Sequence, residues 1–232
     1  MPNKLVKIDH DLVKAAGKTA GWTPGADGHY FGGAKFGYVD HVMWVNDEGK
    51  FQYDQMVRFE RGGAVFLPVD TENRIGLQKS WRPQTRDQDQ FARDYPRVDF
   101  GNLGRESWEL LGGFSDADES ALKTARREAQ EESGSQVTFL EDLGLVCDNR
   151  AFSLHLVRAS WGRIDSSKKA ANKPDPHEKK LSALTYFTLN EVVKLQEEGK
   201  LYDGFTLSAI TLLMLKHPEI FTKALVVREL LR

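Results

Sequence analysis

The chain of 232 residues has almost no cysteine, no excess of charge and no long apolar run. Its one cysteine, Cys147, cannot form an internal disulfide, which is typical of proteins from reducing compartments. Lys and Arg number 32 and Asp and Glu 34, so the formal net charge is −2. A protein that binds nucleic acid through the phosphate backbone usually has a clear basic excess. The composition therefore argues against a nucleic-acid partner.

The apolar residues are spread along the chain. No apolar stretch approaches the ~20 residues that a membrane-spanning helix needs. The first residues do not lead into an apolar run of signal-peptide length. Hydrophobic residues still make up 40% of the chain and aromatic residues 10%, enough for a sizeable core. We therefore expect a cytoplasmic protein with no membrane partner, built as one large domain or two small ones.

Strand-like segments dominate the first half of the sequence. Phe51–Phe59 alternates well enough to form a hairpin with the apolar run before it, and Ile75–Trp81 reads as a further strand. Residues 116–133 are the best helix, with Asp116 and Glu119 in a capping pattern and Gly134 as its stop. Residues 82–106 and 163–180 read as long polar loops. Strands, one central helix, more strands and final helices predict an α+β fold.

Three carboxylates crowd the end of the central helix. Glu128, Glu131 and Glu132 are spaced i, i+3 and i+4, so they share one face and repel one another at the negative end of the helix dipole. A hard divalent cation resolves this conflict because it binds carboxylate and phosphate oxygens together. The alternative is a solvated acidic face with the basic residues of the helix as counter-ions. The helix alone leaves both interpretations open.

The glycines around the helix favour the metal site. The stretch Gly113-x5-Glu119-x7-Arg127-Glu128-Ala129-x-Glu131-Glu132-x-Gly134 resembles the Nudix box of the Nudix hydrolases. The family pattern is G-x5-E-x7-R-E-U-x-E-E-x-G-U, with U a bulky aliphatic residue. All seven fixed positions match: Gly113, Glu119, Arg127, Glu128, Glu131, Glu132 and Gly134. The two U positions depart from it, since Ala129 is small and Ser135 is polar. Both are packing positions, so the departure concerns local packing more than chemistry.

The resemblance to the Nudix hydrolases implies a fold and a set of roles. It implies a loop–helix–loop on a mixed β-sheet in an α/β/α sandwich, with Mg²⁺ or Mn²⁺ as the cofactor. The implied metal ligands are the carboxylates of Glu128, Glu131 and Glu132 and the carbonyl of Gly113. Arg127 would orient a carboxylate, and Glu119 would tie the loop to the helix or simply cap it. Glu131, Glu132 and Arg127 are thus the implied catalytic residues of the box.

Two further segments resemble the ADP-ribose pyrophosphatase branch of this family. Residues 75–82 look like its strand that ends in an aromatic residue and an arginine, and Trp108–Gly113 looks like its entry to the box. Leu111-Gly112 replaces the Pro-Ala of that entry. The branch implies hydrolysis of ADP-ribose or another nucleoside diphosphate sugar to a nucleoside monophosphate and a sugar phosphate. It also implies a homodimer formed through the N-terminal hairpin region.

Residues outside the box are weaker candidates for the site. Glu178 is the candidate for the further acidic residue, a ligand or base, that the branch often places after the box, with a solvated loop charge as the alternative. Arg82 is a candidate phosphate contact, with a structural ion pair as the alternative. Glu109 is a candidate to orient the diphosphate or a metal. Trp44, Trp22 or Tyr53 would stack on a base, or else belong to the core.

Domain organisation and rival functions complete the predictions. We expect an N-terminal lead-in and hairpin region at residues 1–60 and a Nudix hydrolase domain at residues 61–232. Residues 116–132 have a net charge of −3 and residues 158–180 a net charge of +4, so we expect them to face each other across a phosphate-binding cleft. The rivals are a Nudix hydrolase of another nucleotide, a non-catalytic nucleotide sensor and a plain surface helix.

Overall fold

The computed structural model of the protein describes residues 4–7, 9–16, 38–81, 106–149, 151–171 and 182–221. The chain divides into two compact units. The first contains Met1–Gly62 and Cys147–Leu156, and the second contains Gly63–Val146 and Val157–Arg232. The predicted domains, residues 1–60 and 61–232, stay a prediction.

The first unit has a three-stranded antiparallel sheet and a short helix. Its elements in chain order are β1 (Lys4–Lys7), α1 (His10–Ala15), β2 (Tyr38–Val45) and β3 (Phe51–Phe59). The strand order is β1-β2-β3. The turn between β2 and β3 is closed by the amide of Asn46, which donates to the carbonyl of Lys50 at 3.0 Å. Gly49 has a φ of 76°, which explains the glycine in this turn.

A segment from much later in the chain lies beside β3. The amide of Arg58 donates to the carbonyl of Phe152, and the amide of Leu154 donates to the carbonyl of Arg58, both at 2.8 Å. His155 Nδ1 lies 2.9 Å from a carboxylate oxygen of Glu60. Burial lowers the pKa of His155 because it disfavours the charged imidazolium. Residues 147–156 are therefore built into the first unit by backbone and side-chain contacts.

The second unit contains two sheets and three α-helices among its described residues. Its elements in chain order are β4 (Gly63–Pro68), β5 (Ile75–Trp81), β6 (Glu106–Glu109), β7 (Leu111–Phe114), α2 (Ala121–Ser133), β8 (Ser135–Cys147), β9 (Leu156–Lys169), β10 (Thr185–Phe187), α3 (Leu189–Glu197), α4 (Gly204–Lys216) and a 3₁₀ turn at Pro218–Ile220. One sheet has the order β7-β4-β9-β8 and the other β10-β5-β6. The first sheet is mixed, since β4 is parallel to β9 and antiparallel to β7.

Strand β4 carries the core on both of its faces. Ala64 and Phe66 belong to a cluster with α2, whereas Leu67 belongs to a cluster with α3 and α4. Because successive side chains of a strand point to opposite faces, helices cover both faces of this sheet. The α2 cluster is formed by Ala64, Phe66, Leu111, Ala125, Ala129 and Val137. The predicted α+β fold, an α/β/α sandwich around a mixed sheet, is confirmed.

The polar segment at residues 163–180 is only partly a loop. The structure continues β9 to Lys169, so the predicted loop is wrong for residues 163–169. The end of β9 is exposed, so its polar side chains are solvated. The strand itself is hydrogen-bonded to β8 through the backbone. Composition alone does not separate an exposed strand from a loop. Residues 172–181 lie outside the described residues, so the predicted facing of segments 158–180 and 116–132 stays a prediction.

Gly162 in β9 offers a test of the packing between strands. A Cβ at this position would collide with the carbonyl oxygen of Phe139 and lie 2.9 Å from Cε2 of Phe66. We expect Gly162→Ala to lower the free energy of unfolding by about 1–3 kcal/mol, as overpacking does. Gly204→Ala is the matched control, because a Cβ there would meet nothing within 4 Å. Urea unfolding of both variants checks this, and equal stabilities would contradict it.

Candidate active site

The helix α2 is entered through a turn and a serine cap. The amide of Glu119 donates to the carbonyl of Asp116 at 3.0 Å, and Ser120 Oγ accepts from the amide of Lys123 at 3.4 Å. The predicted start at Asp116 is therefore wrong, since α2 begins at Ala121. Serine is as good an N-cap as aspartate, and the Glu119 carboxylate accepts a hydrogen bond from Arg127. The predicted end is right, with Gly134 at a φ of 67°.

Arg127 is the centre of the site. Its Nη2 donates to Glu119 Oε2 at 2.9 Å, and its Nε lies 3.1 Å from Glu119 Oε1. Its Nη1 donates to Glu128 Oε1 at 2.7 Å and to Glu131 Oε2 at 3.1 Å. Its Nη2 also donates to the carbonyl of Phe114 at 3.0 Å. One guanidinium thus binds three carboxylates and the end of β7, a use of its planar donor fork that lysine could not match.

The charges in this cluster stabilise one another. The hydrogen bond from Arg127 holds the pKa of Glu119 below its ordinary value of 4.5, with help from Thr124 and the amide of Asp116. The carboxylates of Glu119 and Glu128 in turn raise the pKa of Arg127. The side chains of Glu119 and Glu128 are 15% and 12% exposed. Water therefore screens these two carboxylates little, and their attraction to Arg127 is stronger than that of an exposed ion pair.

Gly113 gives room to the Glu128 carboxylate. A Cβ on Gly113 would overlap this carboxylate, with its two oxygens at 2.5 and 2.7 Å. Any side chain at this position would therefore displace Glu128 from Arg127. Ala129, on the next residue of α2, is fully buried against Phe66 and Leu111. The small residue at this aliphatic position of the motif is thus explained by the close approach of α2 to β4 and β7.

Glu132 bonds to the backbone of the strand that precedes the helix. Its Oε2 accepts from the amide of Gly112 at 2.9 Å. Gly112 is itself confined, since a Cβ there would lie 2.5 Å from the carbonyl oxygen of Ala64 and 2.9 Å from Cα of Val65. The close pairing of β7 with β4 therefore explains why glycine follows Leu111 in this chain. The bond ties the last carboxylate of the motif to the strand that precedes the helix.

Glu109 lies on a buried polar face of the second sheet. It is 6% exposed and is the register partner of Gln78, which is 4% exposed. Gln78 Nε2 donates to the carbonyl of Ser182 at 2.9 Å. Within the described residues its Oε1 is buried with no hydrogen-bond partner. Ser80 and Ser107 form the next buried pair of this face. Buried polar side chains grouped in this way are unusual in a protein core and more common at functional sites.

The other predicted residues divide into two groups. Trp44 lies in the first unit, where it stacks on Tyr53 at 5.8 Å between ring centroids. Its Nε1 is buried with no acceptor among the residues that the structure describes. Arg82, Glu178 and Trp22 lie outside the described residues. Substrate roles for Arg82, Glu109 and Trp44, and a catalytic role for Glu178, stay predictions.

Comparison with protein families decides the assignment. Residues 63–206 match the model of the NUDIX domain, which is more than half of the chain. The chain belongs to the Nudix family. The prediction of a Nudix pyrophosphohydrolase is confirmed at this level. The matched residues contain the whole box, from Gly113 to Gly134, and both sheets of the second unit.

Comparison with solved structures agrees with the Nudix fold. A crystal structure described as "ADP compounds hydrolase" aligns with a TM-score of 0.57 and 15% sequence identity. The alignment covers 79% of this chain and 87% of that chain. At this identity the likeness shows the fold alone. No curated protein matches the sequence. Among the described residues, no helix is both long enough and apolar enough to span a membrane.

Nudix enzymes use divalent metal cations, and the donor types of this box suit them. Carboxylate and carbonyl oxygens are the ligands that Mg²⁺ and Mn²⁺ prefer. In the part of the chain that the structure describes, no three His, Cys, Asp or Glu side chains are arranged to hold a metal ion. Arg127 and the amide of Gly112 engage the carboxylates instead. The predicted ligands Gly113, Glu128, Glu131 and Glu132 therefore stay a prediction.

Sequence reasoning missed several polar groups of the Nudix site. Thr124 is fully buried and lies 3.0 Å from Glu119 Oε2, and Ser115 lies beside it. The carbonyl of Phe114 and the amide of Gly112 also bind the box. A threonine inside an otherwise alanine-rich helix face was the available signal for Thr124. Backbone groups give no signal in a sequence, because every residue has them.

The Glu119–Arg127 pair predicts how stability depends on pH. A carboxylate whose pKa is lower in the folded state stabilises fully above its unfolded pKa. That stabilisation is lost as the pH falls through the folded pKa. For the metal-free protein at pH 7, we expect Glu119→Gln to cost about 1.5–3 kcal/mol in free energy of unfolding. The difference from wild type should persist to about pH 4.5 and vanish in more acidic solution.

Urea unfolding of both proteins between pH 7 and pH 3 measures this difference directly. Glu197→Gln, at an exposed position of α3, is the control and should match wild type throughout. A penalty for Glu119→Gln that stayed constant to pH 3 would show that charge is not its cause.

Proposed function

We propose that this Nudix hydrolase cleaves the pyrophosphate bond of ADP-ribose or a related nucleoside diphosphate sugar, with Mg²⁺ or Mn²⁺ as cofactor. Water adds to one phosphorus, and the bond from that phosphorus to the bridging oxygen breaks. The products are a nucleoside monophosphate and a sugar phosphate. The observation that carries the proposal is the convergence of Glu128 and Glu131 on Arg127 beside Gly113.

Each residue of the box has a role in this proposal. The carboxylates of Glu128, Glu131 and Glu132 and the carbonyl of Gly113 hold the cation. When bound, such a cation polarises the phosphoryl oxygens and neutralises the charge that develops on them. Arg127 keeps Glu128 and Glu131 close together when repulsion would separate them. Glu132 is tied by the amide of Gly112 to the strand that supplies the Gly113 carbonyl.

The substrate class rests on residues outside the box. The solved structure with the same fold is described as a hydrolase of ADP compounds. Glu109 is buried four residues before Gly113, on the polar face that also contains Gln78. We assign diphosphate contacts to Arg82 and Glu109, base stacking to Trp44, and the ligand or base of the later loop to Glu178. The resemblance to the ADP-ribose pyrophosphatase branch favours a homodimer formed through the N-terminal hairpin region, and the single cysteine favours the cytoplasm.

A substrate panel tests the proposed function. Purified protein is given ADP-ribose, other nucleoside diphosphate sugars, dinucleoside polyphosphates, dinucleotide cofactors and nucleoside triphosphates, with Mg²⁺ and with Mn²⁺. We expect the highest kcat/KM on a nucleoside diphosphate sugar, with equal amounts of monophosphate and sugar phosphate, and none with EDTA. Activity only on triphosphates would overturn the substrate assignment. Tight nucleotide binding without turnover would indicate a sensor instead.

A single charge tests the assignment of the carboxylates. Glu132→Gln keeps an oxygen that can accept from the amide of Gly112, so the fold should be preserved. We expect kcat to fall about 10²-fold or more, because a main electrostatic element is removed. Glu197→Gln on α3 is the matched control and should keep wild-type kcat. Equal turnover of wild type and Glu132→Gln on the same substrate would refute the metal site.

A further inference from the structure

Thr124 is a polar residue at a fully buried position of α2. It lies in the first turn of α2 and is fully buried, next to Ala125 in the cluster against β4. Threonine is less favourable in a helix than alanine, and burying a hydroxyl costs free energy unless it is hydrogen-bonded. Fold stability alone would therefore favour alanine or valine at this position. The contacts of the hydroxyl explain why a threonine is useful.

The Thr124 hydroxyl has three oxygen neighbours. Ser115 Oγ lies at 2.9 Å, Glu119 Oε2 at 3.0 Å and the carbonyl of Ser120 at 3.3 Å. A hydroxyl has one hydrogen, and its strongest bond is to an ionised acceptor. Glu119 is that acceptor, and the Ser115 hydroxyl is placed to donate to Thr124 in return. The helix carbonyl is the most distant of the three, so Thr124 does not simply bond back onto its own helix.

The same carboxylate oxygen also binds Arg127. Glu119 Oε2 accepts from Thr124 on one side and from Arg127 Nη2 at 2.9 Å on another. Arg127 then reaches Glu128 and Glu131 through its other terminal nitrogen. A chain of bonds therefore runs from Thr124 through Glu119 and Arg127 to two carboxylates of the box. Thr124 and Ser115 occupy variable positions of the motif, so the motif itself assigns them nothing.

We propose that Thr124 is a positioning residue that fixes the Glu119 carboxylate, and through it the Arg127 guanidinium that aligns Glu128 and Glu131. The inference concerns the proposed site and rests on it for its effect on turnover. A fixed carboxylate leaves Arg127 one orientation, in which both Glu128 and Glu131 are within reach. Without the hydroxyl, the partners of Glu119 Oε2 among the described residues would be Arg127 and the distant amide of Asp116, at 3.4 Å.

Thr124→Val and Thr124→Ser test the proposal as a pair. Valine keeps the shape and removes the hydroxyl, whereas serine keeps the hydroxyl. Loss of a partner behind a metal site typically costs 10–100-fold in activity or metal affinity. We expect Thr124→Val to lower kcat and Mn²⁺ affinity, measured by titration calorimetry, about tenfold each. Thr124→Ser should restore both to within about twofold of wild type.

Thr188→Val is the matched control. Thr188 caps α3 and bonds to Glu191, so the same substitution removes a hydroxyl bonded to a carboxylate on another helix. We expect it to lower the melting temperature and leave kcat and Mn²⁺ affinity unchanged. A Thr124→Val protein that behaves in the same way would overturn the proposal. Thr124→Ala, with the better helix former, replaces the valine variant if the latter does not fold.

A readout that needs neither metal nor substrate separates this inference from the proposed function. In ¹⁵N NMR of the metal-free protein, the Nε–H signal of Arg127, assigned with Arg127→Lys, reports its bond to Glu119. We expect exchange of this proton with water to be several-fold faster in Thr124→Val and normal in Thr124→Ser. Unchanged exchange would refute the positioning role, even if wild type is active. Faster exchange in a protein that hydrolyses nothing would refute only the proposed function.

Discussion

Three glutamates within five residues repel one another, and their bonds to Arg127 and to the amide of Gly112 allow them to remain close together on one helix. The guanidinium lessens the repulsion between Glu128 and Glu131 and is itself held by Glu119 and the end of β7. Its position is set by its sequence neighbours, since Glu128 follows it directly and Glu131 lies one turn on. The spacing of the motif is therefore an electrostatic requirement as much as a catalytic one.

The close packing around the site depends on small residues. Gly112 and Gly113 let β7 lie against β4 and let the Glu128 carboxylate lie over the strand. Ala129 lets α2 approach the same sheet. A larger side chain at any of these positions would move the helix relative to the strand that supplies the Gly112 amide and the Phe114 carbonyl. The positions of the charged side chains thus depend on small residues that have no polar side chain themselves.

The sequence predicted the fold and the charged residues of the box, because periodicity and fixed spacing are local signals. It predicted Phe51–Phe59 and Ile75–Trp81 with the bounds that the structure shows. It misplaced the start of α2, since aspartate and serine are both good N-caps and the sequence does not decide between Asp116 and Ser120. It also missed the buried pairing of Gln78 with Glu109, because the register of two strands separated by a long segment is a tertiary property.

The route of the chain between β8 and β9 limits how this protein can be shortened. Those strands belong to the sheet that supports the box, yet the residues that connect them bond to the backbone of Arg58 in the first unit. Removing residues 1–62 would leave the carbonyl of Phe152 and the amide of Leu154 without these bonds and uncover Ser153, which is otherwise buried. A truncated chain would therefore still contain Cys147–Leu156, the later segment of the first unit, between two strands of the Nudix domain.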